Sequence, residues 1–235
     1  MRVLVAGASR GIGLALCEAF AERGDHVIAA VRATNARLNE LGVHIVEGIE
    51  LTSDAAVARL PAAVGPDGLD VLIYNAAINR DSPGLDDIDV EVLRETYDVN
   101  TLGAVRTVLA LLPSLHEGSK IMLVSIGATA LNRGPVPSPG NFGYRMSKAA
   151  LTSFGHGLAR AVRDRGIAVL LSSPGPVDTD MLRGVAAEGR SSYRPEDAAQ
   201  AIDVARLFRD RVDELTLADS PAWQARPTGE PAIVP

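Results

Sequence analysis

Cysteine occurs once in the 235 residues, at Cys17. A lone thiol excludes an internal disulfide and suits a reducing compartment. It falls within a helical pattern, where a buried and inert thiol is expected. Nowhere do about 18 apolar residues run uninterrupted, so no membrane span is expected. The short apolar run after Arg2 is broken by Ser9, Arg10 and glycines. It reads as a strand and not as a signal peptide, and a cytoplasmic location follows as the expectation. Positive charge is in deficit, with 23 basic against 29 acidic residues and a net charge of −6, which argues against non-specific nucleic-acid binding. Aromatics are scarce: four Phe, four Tyr and one Trp are too few to indicate a particular apolar substrate. No repeat, low-complexity tract or domain linker is present, and no metal site is read from the residues.

What is there is an ordinary globular composition, 47% hydrophobic and 22% charged, sufficient for one large α/β domain spanning residues 1–235. Apolar runs of strand length alternate with longer helical patterns. Strands are expected at Val3–Ala6, His26–Val31, Val43–Val46, Leu69–Tyr74, Lys120–Ser125 and Ile167–Ser172. Helices are expected at Gly11–Arg23, about Ser53–Ala63, about Asp87–Leu115, about Tyr144–Arg165 and about Pro195–Arg209. Near-continuous apolar strands imply a sheet covered on both faces, hence a parallel sheet. Strands separated by helices give right-handed crossovers and a Rossmann-type doubly wound fold with helices on both faces. The tail from about residue 210 is Pro-rich and only loosely assigned.

Between the first strand and first helix lies Ala6-Gly7-Ala8-Ser9-Arg10-Gly11-Ile12-Gly13. Glycines permit a tight turn and close backbone approach to a pyrophosphate, and the helix start offers free N–H groups. Gly7-Ala8-Ser9-Arg10-Gly11 also fits the nucleophile elbow of α/β-hydrolases. That reading needs a histidine in a late loop. His26 and His44 come early, His116 follows a predicted helix and His156 lies inside one.

Tyr144 and Lys148 stand four apart in a helical pattern, so phenol and ammonium project from one face. A nearby cation would lower the phenol pKa and make Tyr144 a general acid/base toward a carbonyl or alcohol oxygen. Spacing of this kind is common by chance. The company it keeps is informative. Asn75-Ala76-Ala77 follows the fourth strand, Asp98-Val99-Asn100 lies in the long helix, and Pro174-Gly175-Pro176-Val177-Asp178-Thr179-Asp180-Met181 follows the sixth strand. With the glycine loop and the Tyr-Arg-Met-Ser-Lys turn, this ordered set resembles the short-chain dehydrogenase/reductase family, classical type, over residues 1 to about 181.

The resemblance implies a nicotinamide-dependent oxidoreductase acting on CH–OH or C=O groups. Tyr144 would exchange the proton of the reacting oxygen. Lys148 would depress the tyrosine pKa and hold the nicotinamide ribose. Asn100 would hold a water that relays protons through Lys148. Pro174, Gly175, the Val177 backbone, Thr179 and Met181 would border the nicotinamide, with Thr179 and Val177 on its carboxamide. Gly7, Ser9, Arg10, Gly11, Ile12, Gly13, Asn75, Ala76 and Ala77 would contact the dinucleotide elsewhere, and Glu50-Leu51 would lie beside the adenine. The family also uses a serine at the end of the fifth strand. Here Ser125 aligns with the first residue of its usual Ser-Ser pair and Ile126 with the second. A one-residue slip reverses a side chain's face, so Ser125 serves only if the strand end bulges, and Thr129 is the nearest alternative hydroxyl. The connection Leu131–Gly143, with Pro135, Pro137 and Pro139, is longer than many in the family.

The second strand runs into Val31-Arg32 with no acid to bind a ribose 2′-hydroxyl. Arg32 and Arg10 instead suit a 2′-phosphate, which favours NADP(H) over NAD(H). Residues 181–193 are expected to cover the substrate, with Ile78, Asn79, Arg80 and Phe142 lining the pocket. The expected partners are a small carbonyl or alcohol substrate and further copies of the chain, as a homodimer or homotetramer. Ile126 and the unusual tail keep a second reading open, a protein of this fold without net redox activity, as a non-redox enzyme or a dinucleotide-binding regulator.

Overall fold

A computed structural model describes residues 1–82, 84–127, 140–191 and 193–225. Thr129, Pro135, Pro137, Pro139 and Ser192 lie outside them. The strands are β1 (Arg2–Ala6), β2 (His26–Ala30), β3 (His44–Val46), β4 (Leu69–Tyr74), β5 (Leu115–Val124), β6 (Ala168–Ser173) and β7 (Ala222–Ala225). They form one parallel sheet in the order β3-β2-β1-β4-β5-β6-β7. The chain walks outward from β1 to β3, then returns to place β4 on the other side of β1. Strand order therefore reverses between β1 and β4, where open α/β sheets leave a crevice at their carboxyl edge.

Alternate residues of each strand feed two separate cores. On one face Val3, Val5, Ile73 and Met122 pack with Leu16 and Phe20 of helix α1 (Gly11–Glu22) and Phe208 of helix α9 (Ala201–Glu214). On the other, Leu4, Leu72, Ile121 and Leu171 meet Val108 of helix α6 (Gly103–Leu111) and Leu151 and Leu158 of helix α7 (Phe142–Val162). Fully burying one such side chain is worth about 1.5–3 kcal/mol. Cys17 is buried in the first core, and burial pushes its thiol up to about 12, the inert state expected.

The structure departs from the expected elements where local chemistry interrupts the apolar pattern. The predicted helix over 53–63 is two short pieces, α3 (Asp54–Val57) and α4 (Leu60–Val64), since Pro61 has no N–H to continue the ladder. Helix α2 (Ala36–Glu40) was not expected; Asn35 starts it by accepting from Leu38 N at 3.0 Å. The predicted helix 87–115 begins at Val90 as α5 (Val90–Tyr97), capped by Asp89. It widens into a π turn over Asp98–Leu102, continues as α6 and ends in a 3-10 turn containing Pro113. Strand β5 starts five residues before its predicted beginning. Its pairing with β4 slips between Leu69 and Val71, and Ser119 fills the irregularity by donating to Leu69 O at 2.7 Å and accepting from His116 N. Helix α9 begins at Ala201, because Pro195–Asp197 form only a 3-10 turn. The loosely assigned tail supplies β7 at the sheet edge.

Candidate active site

The glycine loop is built by exclusion. Gly7 has φ +83°, and a side chain there would meet Ala76 Cα at 2.6 Å. A Cβ on Gly13 would fall 2.0 Å from Gly7 O and 2.6 Å from Asn75 Nδ2. Asn75 Nδ2 donates to that same carbonyl at 3.0 Å, so the turn after β4 props the loop after β1. Arg10 at the start of α1 makes no side-chain cap, and the first turn carries no acidic residue. The N–H groups there are free to meet an anion. Gly11 approaches the segment after β6, since its Cβ would stand 3.2 Å from Thr179 Cγ2. Thr179 caps helix α8 (Asp180–Ala187) by accepting from Leu182 N.

These pieces border one cavity of about 1010 Å³. Gly7, Ser9, Arg10, Gly11 and Ile12 form its floor, with Asn75, Ala76 and Ala77 beside them. Arg32, Glu50 and Leu51 line one end. Pro174, Thr179 and Met181 face them from the β6 side, and Tyr144 and Lys148 come from α7. Gly13 lies behind the floor, packed on Gly7. Gly175 and Val177 are not part of the wall, and Val177 is buried in the α1 core. Ile78 and Arg80 line the cavity as expected, whereas Asn79 and Phe142 do not. The first half of the predicted cover over 181–193 is the helix α8.

Lys148 Nζ stands 5.9 Å from the centre of the Tyr144 ring, so the two side chains share a face. Lys148 is 1% exposed and donates to Val124 O at 2.7 Å. Desolvation pushes the half-buried Tyr144 up to about 12 and the buried Lys148 down to about 7. The direction for the phenol is upward, opposite to the expected depression. Desolvation disfavours both charged forms.

Asn100 is fully buried in the π turn. Its Oδ1 accepts from Ile78 N at 2.8 Å, and its Nδ2 donates to Ile78 O and Ser147 Oγ, both at 3.0 Å. It ties the β4 turn to the helix of Tyr144. Ser125 borders the cavity, but its buried hydroxyl is turned to α7, 2.7 Å from Thr152 Oγ1 and 3.2 Å from Lys148 O. Arg10 and Arg32 are 70% and 67% exposed, with Asp180 and Glu50 at 3.9 and 3.7 Å. Pairs so exposed are worth about 0–1 kcal/mol and exchange readily for a phosphate. Two features went unread in the sequence. Asp81 accepts from Tyr144 N at 2.8 Å. Arg190, 2% exposed, donates to Asn79 Oδ1, Asn141 Oδ1 and Glu188 Oε2. No sequence spacing signals either, because Tyr144, Asn79 and Asn141 lie on segments distant in the chain and only Glu188 is near Arg190.

A dinucleotide crevice at the strand reversal, with a tyrosine–lysine pair facing it, defines a Rossmann-type oxidoreductase. The short chain dehydrogenase family model matches residues 1–189, and the chain belongs to that family of NAD(P)-dependent oxidoreductases. It is 34% identical over 225 residues to 1-hydroxy-2-glutathionyl-2-methyl-3-butene dehydrogenase of Rhodococcus, covering 94% of this chain and 95% of the relative. It is 28% identical to the NADPH-dependent 3-dehydrocapnine reductase of Ornithobacterium rhinotracheale, covering 94% and 82%. Among solved structures, the NADPH-bound carbonyl reductase from chicken fatty liver superposes with a TM-score of 0.78 at 25% identity over 95% of both chains. A Burkholderia cenocepacia short chain dehydrogenase in complex with NADP gives 0.74 at 31%, over 90% and 89%.

Proposed function

We propose that the protein is an NADP(H)-dependent carbonyl reductase or alcohol dehydrogenase with Tyr144 as its general acid/base. One observation carries the reading: Tyr144 and Lys148 open onto the same cavity as a glycine loop that leaves no room for side chains. The N–H groups at the start of α1, and the bare backbone that Gly7 and Gly11 present to the cavity, fit a pyrophosphate. Arg10 and Arg32 suit a 2′-phosphate, and no acid ends β2 to claim a 2′-hydroxyl; Glu50, on the following strand's loop, faces Arg32 instead. The NADPH and NADP bound to the chicken and Burkholderia proteins agree with that choice.

The bound nicotinamide would supply or accept hydride. Tyr144, half-buried and with its phenol pKa held above the ordinary value, is protonated at neutral pH and gives its hydroxyl proton to the oxygen of a reduced carbonyl. Lys148, with a pKa near 7, takes part as a proton carrier at Nζ, and Val124 O fixes its direction. Asn100 serves by holding Ile78 and Ser147 in place. Ser125 keeps its hydroxyl on Thr152 and Lys148 O, sealing the β5–α7 seam, so Tyr144 carries the oxygen's hydrogen bonding. Met181, at the start of α8, borders the substrate space from that side. Leu109 on α6 is an exposed apolar side chain away from the cavity and supports a homo-oligomer, whereas the exposed Val90, Tyr97, Leu102 and Met146 line the cavity itself. No helix among the described residues is long and apolar enough to cross a membrane.

The test is NADPH oxidation, followed by absorbance, across a panel of ketones, aldehydes and quinones, with Tyr144→Phe as control. Turnover of at least one carbonyl, reduced by about 10²-fold or more in the variant, is expected for a lost acid/base group. Tight NADPH binding with no turnover of any carbonyl, or full activity in Tyr144→Phe, refutes the proposal.

A further inference from the structure

Helix α7 begins without the cap its first turn needs. Asn141, the residue at its start, has φ +57° and makes no side-chain cap, and the first turn holds no acidic residue. The Asn141 side chain is committed elsewhere, donating to Arg190 O at 2.8 Å and accepting from Asn79 and Arg190. The missing acceptor comes from another loop. Asp81 Oδ2 accepts from Tyr144 N at 2.8 Å, at the third helical position, where a cap's side chain normally acts. Asp81 is 5% exposed, and its Oδ1 has no hydrogen-bond partner among the described residues. Room for the carboxylate exists because position 143 is glycine. A Cβ there would lie 2.8 Å from Asp81 Oδ1 and 2.6 Å from Leu93 Cδ2.

The strand-end segment carrying Asp81 is itself held on two sides. Asn100 clamps both backbone groups of Ile78, and Asn79 joins Asn141 and Arg190. A buried, half-partnered carboxylate on a clamped segment, aimed at the backbone of one residue, is costly unless that residue's position matters. We infer that Asp81 is a positioning residue: through its bond to the Tyr144 N–H it fixes the height and rotation of the tyrosine over the cavity. Asp81 is not part of the cavity wall. The inference rests on the reading of Tyr144 as the acid/base.

The test compares Asp81→Ala, which removes the acceptor, with Asp81→Asn, which keeps it. Hydrogen exchange of the Tyr144 amide, followed by nitrogen-15 NMR without any ligand, is expected to accelerate by about fivefold in Asp81→Ala, the scale of a lost helix cap acting on the opening equilibrium. The Leu158 amide, farther along the same helix, stays at the wild-type rate. With the panel carbonyl that the wild type reduces fastest, kcat is expected to fall by about 10–10²-fold in Asp81→Ala, the scale of an ångström's misplacement. KM and NADPH affinity remain within about twofold, and Asp81→Asn recovers both exchange and kcat because its carbonyl oxygen can still accept the bond. Wild-type kcat in Asp81→Ala, equal impairment of Asp81→Asn, or loss of NADPH affinity in step with kcat each overturns the inference. Should Asp81→Ala fail to fold, Gly143→Ala decides: its methyl displaces the carboxylate and is expected to lower kcat similarly, and wild-type kcat there overturns it. Tyr144→Phe run alongside separates the two ideas. Activity retained in that variant sinks the acid/base reading, whereas an inactive Tyr144→Phe beside a fully active Asp81→Ala sinks only this one.

Discussion

Lys148 should weaken the fold that carries it. Its Nζ is almost fully enclosed, and burial lowers its pKa from 10.5 to about 7. In the unfolded chain the ordinary value returns. Between about pH 7 and 10.5 the unfolded chain therefore holds a proton that the folded protein does not, so this residue makes stability rise with pH across that window. Below about pH 7 its full cost is present. The gap corresponds to about 5 kcal/mol at about 1.4 kcal/mol per pH unit, as an order of magnitude. Lys148→Met keeps the stem, removes the charge and forfeits a hydrogen bond to Val124 O worth about 1 kcal/mol. The variant should thus be more stable near pH 7 by about 4 kcal/mol, or about 8–16 °C in Tm for a chain of this size. Thermal unfolding from pH 7 to 9 is the assay. Across it the advantage should shrink by about 2 kcal/mol as the wild type sheds its burden. Cys17 and Tyr144, both raised to about 12, act at higher pH and are common to the two proteins. A variant melting at or below the wild type at pH 7, or an advantage that does not change with pH, would refute the reasoning.

Gly13→Ala places a methyl against backbone that cannot retreat. Overpacking and the loss of the Asn75–Gly7 bond, less the helix preference of alanine, should cost about 3 kcal/mol, seen as a Tm lower by about 6–12 °C with weakened NADPH binding. Arg32→Ala should raise the Kd for NADPH about tenfold, from the loss of a charge-assisted bond, and leave that for NADH unchanged, both measured by fluorescence titration. Asn100→Ala strands both backbone groups of Ile78, and urea unfolding should show a loss of about 2–4 kcal/mol.

The sheet was legible because its strands are near-continuous apolar runs between helical patterns, a signal that survives without tertiary context. Leu69–Tyr74 matched residue for residue. What escaped were elements decided by one cap or one proline. Asn35 starts α2, Pro61 splits the helix after Ser53, and β7 depends on a neighbour, β6, more than on its own residues. In the site, the glycine loop and the Tyr144–Lys148 pair were readable because their spacing is local. Tyr144's environment was not. Charge proximity suggested a lowered pKa, whereas burial, a property of the whole fold, raises it. Asp81 and Arg190 stayed silent for the same reason: each acts on groups tens of residues away.

The wide turn at Asp98–Leu102 has a consequence for how two helices can share one axis. Each added residue advances an ordinary helix by about 100°. By absorbing part of that advance in one loose coil, the chain sets α5 against α7 while α6 points Ala104, Val108 and Leu111 into the sheet. The turn is thus a phase adjuster between two gears. Deleting one residue from it would leave both helices intact and aim one of them at the wrong neighbour.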